Sequence, residues 1–252
     1  MKPGKQRIDQ LMVDRCLAGS REKAKALLLA GGVRVNGQRV DKPGTLVAPD
    51  ATVELIDKMP WVSRGAYKLI GALDHWHIDV AGRVCLDVGS STGGFTEVLL
   101  NRGALRVHAV DVGMGQLDWK LRKDPRVVVH EGVNARFLEP GLTGEPSGLA
   151  VCDVSFISVT LILPALVPLL AVPRELVVLI KPQFEVGREQ VGRGGIVRDE
   201  ALHRFAVERV TSAARLLGLE TDVIESPLAG AEGNKEFLLH GTDPHSRNHL
   251  ET

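Results

Sequence analysis

From residue 63 onward, short apolar runs alternate along the chain with amphipathic stretches. Each apolar run is rich in Val, Ile and Leu and is bounded by Gly, Asp or Pro, which is typical of buried strands. The stretches between them place apolar residues three and four positions apart, as amphipathic helices do. This pattern predicts a doubly wound, Rossmann-like α/β domain. The seven predicted strands are 83–89, 106–113, 126–132, 149–154, 175–182, 221–227 and 235–241.

The pattern of residues 7–57 differs and begins with two short helices. RIDQLMVDRCLA (7–18) predicts an amphipathic helix. Ser20 is a suitable N-cap for SREKAKALLLAGG (20–32), and Gly31 and Gly32 are suited to end that helix in a left-handed cap. The apolar face expected on the first helix consists of Ile8, Leu11, Met12 and Cys16.

A predicted hairpin follows these helices. VRVNGQRV (33–40) reads as strand, turn and strand, and its Asn36-Gly37 pair is a strong hairpin signal. KPGTLVAPDATVEL (42–55) adds a further turn and strand. We therefore expect a small α+β domain over 1–57, a linker over 58–62 and the larger α/β domain over 63–252.

One uncharged stretch, SFISVTLILPALVPLLAVP (155–173), resembles a membrane span in hydropathy. It contains Pro164, Pro168 and Pro173 and lies within the alternation of strands and helices. A buried helix with its flanking loop is therefore the favoured interpretation.

Charge is divided unevenly although the formal net charge is zero. Residues 1–62 carry 11 Lys/Arg and 7 Asp/Glu, a formal +4, and the remainder carries 20 and 24. A basic small domain is expected where one part of a protein holds a polyanion. The cysteines, Cys16, Cys85 and Cys152, are widely spaced, and the start MKPGKQRIDQ has no apolar signal-peptide core. A disulfide framework or metal site is not expected, and we predict a cytoplasmic protein.

A glycine-rich turn follows the first strand of the larger domain, in LDVGSSTGGF (86–95). Glycines let the backbone approach a ligand, and the following helix offers free amides. Such a turn alone could equally hold a dinucleotide, so an NAD-dependent dehydrogenase remains an alternative. The GxxxGG spacing and the acid before it favour S-adenosylmethionine as the cofactor. The predicted cofactor-binding residues of the turn are Asp87, Gly89, Ser90, Ser91, Thr92, Gly93 and Gly94.

Polar residues also end the next three strands. Asp111 ends the second strand, Asn134 follows the third and Asp153 the fourth, so all three face the edge where ligands bind in such sheets. We expect Asp111 to bind the two cofactor ribose hydroxyls and Asp87 to lie near the positively charged methionine end. For Asp111 and Asn134, ordinary turn chemistry at strand ends is the alternative.

Four charged residues stand at predicted element ends in the order Lys68, Asp153, Lys181 and Glu236. A ribose hydroxyl is a weak acid, so its methylation needs a base, in-line positioning and stabilisation of the developing alkoxide. Lysine acts as a base when burial or a neighbouring cation favours its neutral form. We assign Lys181 as the base and Lys68 as the neighbouring cation that holds the 2′-oxygen. Asp153 and Glu236 would orient the lysines and offset their charge.

Taken singly, most of these residues have simpler explanations. Lys68 is typical of a solvated helix lysine, Asp153 of a turn or helix cap, and Glu236 of a surface partner for Lys235. Lys181 is less usual, because buried strand ends seldom carry a cation without a function. The order of all four, together with the glycine-rich turn, favours the catalytic interpretation.

The N-terminal module resembles the S4 RNA-binding domain. The similarity covers residues 7–55 and includes the SREKA helix start, the AGGVRVNG hairpin and the KPG turn. In that family the helix-capping region and the hairpin face RNA. The resemblance implies RNA contacts by six residues, for each of which a solvated surface charge is the alternative: Arg7, Arg15, Arg21, Lys25, Arg34 and Lys42.

Residues 63–252 resemble the FtsJ-like family of ribosomal RNA 2′-O-methyltransferases, whose hallmark is a Lys-Asp-Lys-Glu tetrad. The whole chain is similar to the TlyA group, which joins such a class I methyltransferase domain to an S4 domain. The resemblance implies methylation of a cytidine ribose in ribosomal RNA of the small subunit, the large subunit or both. The matching segments include WVSRGAYKL (61–69), AVDVGMGQL (109–117), CDVSFISV (152–159), VLIKPQFEVG (178–187), VGRGGIVRD (191–199) and GNKEFLLH (233–240).

The loop GREQVGRGGIVRDE (187–200) follows the assigned base and is rich in glycine and arginine. We interpret it as a flap that closes on RNA phosphates, with an ordinary surface loop as the alternative. The expected partners are ribosomal RNA or ribosomal subunits, without a membrane, and the expected state is a monomer. A base methyltransferase is disfavoured because the sequence lacks the motifs of that class. A pseudouridine synthase is disfavoured because such an enzyme would need no cofactor-binding turn. A noncatalytic ribosome-binding factor and a membrane-active, haemolysin-like protein remain open.

Overall fold

The computed structural model describes residues 4–29, 32–55, 60–230 and 233–244. The chain divides into two compact units, residues 1–60 and 61–252. The predicted linker positions 58 and 59 and the predicted cap residue Gly31 lie outside the described residues.

The N-terminal unit is a small α+β fold. Strands β3, β2 and β5 form an antiparallel sheet in that order, and β1 pairs with β4. Its elements are β1 (Gln6–Arg7), α1 (Ile8–Asp14), α2 (Arg21–Leu29), β2 (Val33–Val35), β3 (Gln38–Arg39), β4 (Leu46–Val47) and β5 (Val53–Leu55).

Helix α1 buries the apolar face that its periodicity predicts, with one exception. Ile8, Leu11 and Met12 are buried in the core of the unit. Cys16 was wrongly placed on this face: α1 ends at Asp14, and Cys16 is exposed with a φ of 57°. The left-handed backbone at Cys16 ends the helical period, so its side chain no longer follows the i, i+4 spacing.

The hairpin prediction is confirmed. Asn36 has a φ of 48° and Gly37 a φ of 79°. Two successive residues with positive φ form the turn whose twist matches paired strands, which explains the asparagine and glycine here.

The C-terminal unit is a doubly wound α/β fold around one seven-stranded sheet. Its elements are α3 (Ala66–His75), β6 (Val84–Val88), α4 (Gly94–Asn101), β7 (Arg106–Asp111), α5 (Trp119–Arg122), β8 (Val127–Glu131), β9 (Leu149–Cys152), α6 (Leu163–Leu166), β10 (Glu175–Ile180), α7 (Pro182–Glu185), α8 (Glu200–Leu216), β11 (Glu220–Glu225) and β12 (Phe237–Thr242).

The strand order is β11-β12-β10-β9-β6-β7-β8, and β12 runs antiparallel to both its neighbours. The remaining pairs are parallel. Apolar cores cover both faces of the sheet, which is why its inner strands are continuous apolar runs. The predicted Rossmann-like, seven-stranded class I methyltransferase fold is confirmed.

Two predicted helices are shorter than expected. The stretch 155–173 contains three short helical segments, Val159–Leu161, α6 and Val167–Leu169, instead of one helix. Prolines begin two of these segments, because proline suits a first turn and disrupts a helix interior. The amphipathic stretch between β7 and β8, where a helix was also expected, forms the short helix α5. Within the described residues, no helix has the length and apolar character needed to cross a bilayer.

Candidate active site

Two adjoining cavities open where the carboxyl ends of the parallel strands meet. The lysine cavity, of about 330 Å³, contains Lys68 and Lys181. The aspartate cavity, of about 470 Å³, contains Asp111. They share the lining residues Gly89, Ser91, Asp153 and Ser155.

The lysine cavity brings together residues from distant parts of the chain. Lys68 comes from α3, Asp153 follows β9 and Lys181 follows β10. Loop residues 228–230 and Ser63, Arg64 and Gly65 complete part of its wall.

Lys68 forms a close ion pair with Glu236. Its Nζ lies 2.5 Å from Oε2 of Glu236, whose side chain is only 2% exposed. A carboxylate this buried requires a partner, and Lys68 provides it. The backbone at Gly230 passes close to this carboxylate, because a Cβ added at Gly230 would lie 1.9 Å from Oε1 of Glu236. Glu236 is therefore a fixed anchor for Lys68 and not a surface partner of Lys235, which pairs with Glu225.

Lys181 has two partners across the cavity. Its Nζ lies 2.6 Å from Oδ1 of Asp153, although the angles there fall outside those of a hydrogen bond. The same Nζ donates a 2.8 Å hydrogen bond to Oγ of Ser155. The side chain of Lys181 is 11% exposed, so the amine is enclosed but reachable from the cavity. The four charged residues thus form two ion pairs in one region.

Gly89 is required where the glycine-rich turn passes Asp153. Its φ is 84°, and an added Cβ would lie 2.4 Å from the backbone oxygen of Asp153. A side chain here would be strained by the backbone conformation and would also displace the strand end that carries Asp153. Gly93 also has a positive φ, of 99°, and precedes α4.

The aspartate cavity contains the acid at the end of β7. Asp111 accepts 2.7 Å hydrogen bonds from the backbone amides of Ser91 and Gly113, which hold its carboxylate at the cavity wall. Asn134 also lines this cavity, and its side chain accepts a hydrogen bond from the amide of Arg136. Asp111 and Asn134 therefore both accept hydrogen bonds from backbone amides at strand ends, and both also line the cavity.

Asp87 does not line either cavity. It is fully buried, and its Oδ2 accepts a 2.6 Å hydrogen bond from Oγ1 of Thr96, while Oδ1 has no hydrogen-bond partner among the described residues. Burial raises the pKa of Asp87 to about 7. Asp87 lies on β6 just before the glycine-rich turn and is held by Thr96 of α4, and its position near the methionine end of a cofactor stays a prediction.

Several lining residues carried no clear signal in the sequence. Ser155 belongs to both cavities, yet serine after a strand is common in turns. Phe156 is 92% exposed with a φ of 67°, and its ring lies 5.4 Å from that of Phe184. The exposure of the ring and the strained backbone indicate a functional site more strongly than the presence of a phenylalanine in the sequence does.

In the N-terminal unit, three of the six predicted RNA contacts have partners within the protein. Arg7 and Arg21 both pair with the buried Asp9, at 2.9 and 3.1 Å. Arg15 donates hydrogen bonds to the backbone oxygens of Pro49 and Ala51. Arg7 and Arg21 remain 45% and 44% exposed, so Asp9 orients them without enclosing them.

Lys25, Arg34 and Lys42 are exposed. Arg39 was not among the predicted contacts, yet it stands directly opposite Arg34 across the hairpin. Like charges opposite each other destabilise a sheet, and on its other side Arg34 stands opposite Glu54 of β5. The pairing register was the signal that could have identified Arg39.

The loop over 187–200 is partly anchored. The side chain of Asn234 accepts a 3.0 Å hydrogen bond from the amide of Val197 and donates one to the oxygen of Gly195. Arg188, Arg193 and Arg198 on this loop are all exposed. The loop is therefore tied near its C-terminal end to the segment that leads to Glu236.

The sheet order, the glycine-rich first turn and the acid after the second strand define a class I methyltransferase fold. A solved structure of the N-methyltransferase NodS from Bradyrhizobium japonicum, in complex with S-adenosyl-l-homocysteine, shares this fold. Its TM-score is 0.51 at 17% identity, over 75% of this chain and 90% of that chain.

Residues 61–242 match the FtsJ-like methyltransferase family, and residues 6–53 match the S4 domain. The chain is 50% identical over 236 residues to the 16S/23S rRNA (cytidine-2'-O)-methyltransferase TlyA of Mycobacterium tuberculosis, covering 92% of this chain and 88% of that relative. Hemolysin A of Brachyspira hyodysenteriae is 40% identical over 236 residues, 93% of this chain and 98% of that relative. A solved hemolysin candidate from Streptococcus thermophilus has a TM-score of 0.73 at 43% identity, over 96% of this chain and 90% of that chain.

The chain is thus a methyltransferase of the FtsJ-like family that carries an S4 domain, and it belongs to the TlyA group within that family.

Proposed function

We propose that this enzyme transfers the methyl group of S-adenosylmethionine to the 2′-hydroxyl of a cytidine ribose in ribosomal RNA, with Lys181 as the general base. The observation that carries the proposal is the pairing of Lys68 with Glu236 and of Lys181 with Asp153 around one cavity. That cavity adjoins a second one with the features of a nucleoside site.

The aspartate cavity fits the adenosyl part of the cofactor. Its volume of about 470 Å³ lies within the range of small-molecule sites. Val110, Val133 and Ile162 provide apolar walls, and Asp111 provides carboxylate oxygens suited to a pair of ribose hydroxyls. Gly89 lines both cavities, so the aspartate cavity adjoins the lysine cavity at the glycine-rich turn.

The bound cofactor would supply an electrophilic methyl group on a positively charged sulfur. Nζ of Lys181 would take the proton of the 2′-hydroxyl as that oxygen accepts the methyl group, which the cofactor would supply by leaving as a neutral thioether. Lys68, held by Glu236, places a cation near the developing alkoxide. Asp153 stabilises the ammonium that forms at Lys181.

The N-terminal unit supplies the binding surface for RNA. The exposed Lys25, Arg34, Arg39 and Lys42, together with the two arginines oriented by Asp9, form a basic set suited to phosphates. The names of relatives support ribosomal RNA as the substrate. A Campylobacter jejuni relative named 23S rRNA (cytidine-2'-O)-methyltransferase is 34% identical over 81% of this chain, whereas the Mycobacterium tuberculosis name includes both 16S and 23S RNA. Either subunit is therefore a candidate.

Phe156 suits a base beside the target ribose. It lines the aspartate cavity next to Ser155 and exposes its ring. Bases stack on aromatic rings with about 1–3 kcal/mol per base. We assign Phe156 as the stacking surface for a nucleobase near the lysine cavity.

The first test is transfer of labelled methyl from S-adenosylmethionine to purified small and large ribosomal subunits that lack the endogenous modification. Wild type is compared with Lys181→Ala and with Lys235→Ala, a matched lysine variant whose ion pair with Glu225 lies outside the cavity. We expect label at a ribose, a rate about 10²- to 10⁴-fold lower in Lys181→Ala, and little change in Lys235→Ala.

The subunit that becomes labelled identifies the substrate. Label on a base instead of a ribose would contradict the assigned chemistry. Equal loss of rate in both lysine variants would contradict the role of Lys181. Cofactor binding without transfer to either subunit would favour a noncatalytic ribosome-binding factor.

A further inference from the structure

Two segments that flank the lysine cavity are joined by a series of contacts. One is the serine loop, residues 155–159, and the other is the base segment, residues 181–185, which comprises Lys181 and α7. Lys181 contacts Ser155 and Phe184 contacts Phe156. Glu185 accepts a 2.5 Å hydrogen bond from Oγ of Ser158 and a 2.8 Å hydrogen bond from the amide of Val159. The serine loop is therefore attached to the base segment through three of its residues, Lys181, Phe184 and Glu185.

The carboxylate of Glu185 is the buried end of this series. Its side chain is only 2% exposed, and burial raises its pKa above the ordinary value for glutamate. A carboxyl group in such a place needs its donors, and both hydrogen bonds described above come from the serine loop. Glu185 lies on the short helix that begins immediately after Lys181, so the two segments cannot shift independently without breaking these bonds.

The contacts of Lys181 differ in kind. The ion pair with Asp153 is close, at 2.6 Å, but lacks the angles of a hydrogen bond. The hydrogen bond to Ser155, at 2.8 Å, has them. Coulombic attraction constrains mainly distance, whereas a hydrogen bond also constrains direction. Ser155 is therefore the partner that restricts how the Lys181 amine is turned.

Direction matters for an amine that acts as a base. A neutral amine has two N–H bonds and one lone pair in a tetrahedral arrangement. When one N–H is held on Ser155, the lone pair is confined to the two remaining tetrahedral directions, and attraction to Asp153 favours the arrangement that leaves the second N–H on the side of that carboxylate. We propose that Ser155 is a positioning residue that sets the orientation of the Lys181 lone pair toward the substrate hydroxyl, and that Glu185 fixes the loop presenting Ser155. This inference deepens the proposed function and rests on it.

The test compares Ser155→Ala, Ser155→Thr and Ser158→Ala. Ser155 is exposed, so alanine leaves little packing defect and threonine keeps the hydroxyl with room for its methyl group. Ser158→Ala is the matched serine variant, because it removes a buried hydrogen bond of the same loop without touching Lys181. For each protein, kcat, KM for the ribosomal subunit, Kd for S-adenosylmethionine and Tm are measured.

A misaligned base lowers the rate of the chemical step, so we expect kcat of Ser155→Ala to fall about tenfold to a hundredfold. KM and Kd should stay within about twofold, and Ser155→Thr should recover most of the rate. Ser158→Ala should lower Tm more and kcat less than Ser155→Ala does. A purely structural role would make the loss of kcat follow the loss of Tm, so Ser158→Ala, at the more buried serine, would then lose more of both.

Three results would overturn the inference. These are a kcat of Ser155→Ala within about twofold of wild type, no recovery in Ser155→Thr, or a loss confined to KM and Kd. A wild-type enzyme that binds S-adenosylmethionine but methylates neither subunit would refute the proposed function, and this inference with it. Methylation by the wild-type enzyme therefore distinguishes failure of this inference from failure of the proposed function.

Discussion

Substitution of Gly89 by alanine should destabilise the C-terminal unit and displace the end of β9. Two costs arise. The φ of 84° lies in the left-handed region, which costs an L-residue about 1–2 kcal/mol. The added Cβ would also lie 2.4 Å from the oxygen and 2.8 Å from the carbon of the Asp153 carbonyl, and forced overpacking costs about 1–3 kcal/mol. Together these give a loss of about 2–5 kcal/mol in the free energy of unfolding.

Gly82→Ala provides a matched control. Gly82 has a φ of 71°, and nothing lies within 4 Å of a Cβ added there. It should lose only the backbone cost of about 1–2 kcal/mol. The difference between the two variants therefore measures the clash with Asp153.

Urea unfolding followed by tryptophan fluorescence suits this comparison. All three tryptophans, Trp61, Trp76 and Trp119, belong to the C-terminal unit, so the signal reports on that unit alone. Methyl transfer by folded Gly89→Ala should also fall, because Asp153 is displaced from Lys181. Equal destabilisation by the two variants would refute the close-approach argument for Gly89.

Three further predictions concern buried titratable groups. The pKa of Asp87 is raised to about 7, so the folded state keeps a proton that the unfolded chain releases near pH 4. The free energy of unfolding should therefore fall as pH rises from about 4 to 7, and Asp87→Asn should remove this slope. Burial lowers the pKa of His108 and His130, whose Nδ1 and Nε2 atoms lie 3.0 Å apart. As pH falls below about 6.5, these histidines are therefore protonated in the unfolded state before they are protonated in the folded state. Stability should fall on acidification through this range, and less so in His130→Gln. In the N-terminal unit, hydrogen bonding from Arg7 lowers the pKa of Asp9 to about 2, so its contribution is present above about pH 4 and lost as pH falls through 2. Asp9→Asn should raise the Kd for RNA about threefold to tenfold at neutral pH, because its two arginines lose their anchor.

Urea titrations at a series of pH values test the first two of these, and filter binding to ribosomal RNA tests the third. Parallel pH profiles of wild type and Asp87→Asn would contradict a raised pKa for Asp87. An unchanged acid limb in His130→Gln would show that the histidine pair does not govern stability there. For Asp9, Lys25→Ala is the comparison: a larger loss of affinity in that variant would place the main RNA contacts away from the oriented arginines.

Much of the fold was predictable because burial imposes a local pattern on the chain. The alternation of apolar strands with amphipathic helices predicted the seven-stranded sheet, which the structure confirms. The Asn36-Gly37 pair predicted a turn that needs two positive φ angles. The apolar stretch 155–173 was less predictable, because periodicity does not distinguish one buried helix from several short turns separated by proline.

The sequence by itself determined the edge of the sheet at which the functional residues lie. Parallel strands present their carboxyl ends at one edge, so the sequence predicts that Asp111, Asp153 and Lys181 lie together. Only the tertiary structure decided which groups pair. Lys68 and Glu236 are 168 residues apart, and the hydrogen bond between Lys181 and Ser155 depends on a loop without periodic signal. Tertiary packing also buries Asp87 and places Arg15 within hydrogen-bond distance of backbone oxygens. In a different arrangement of the same elements, these two side chains would be free to bind ligands.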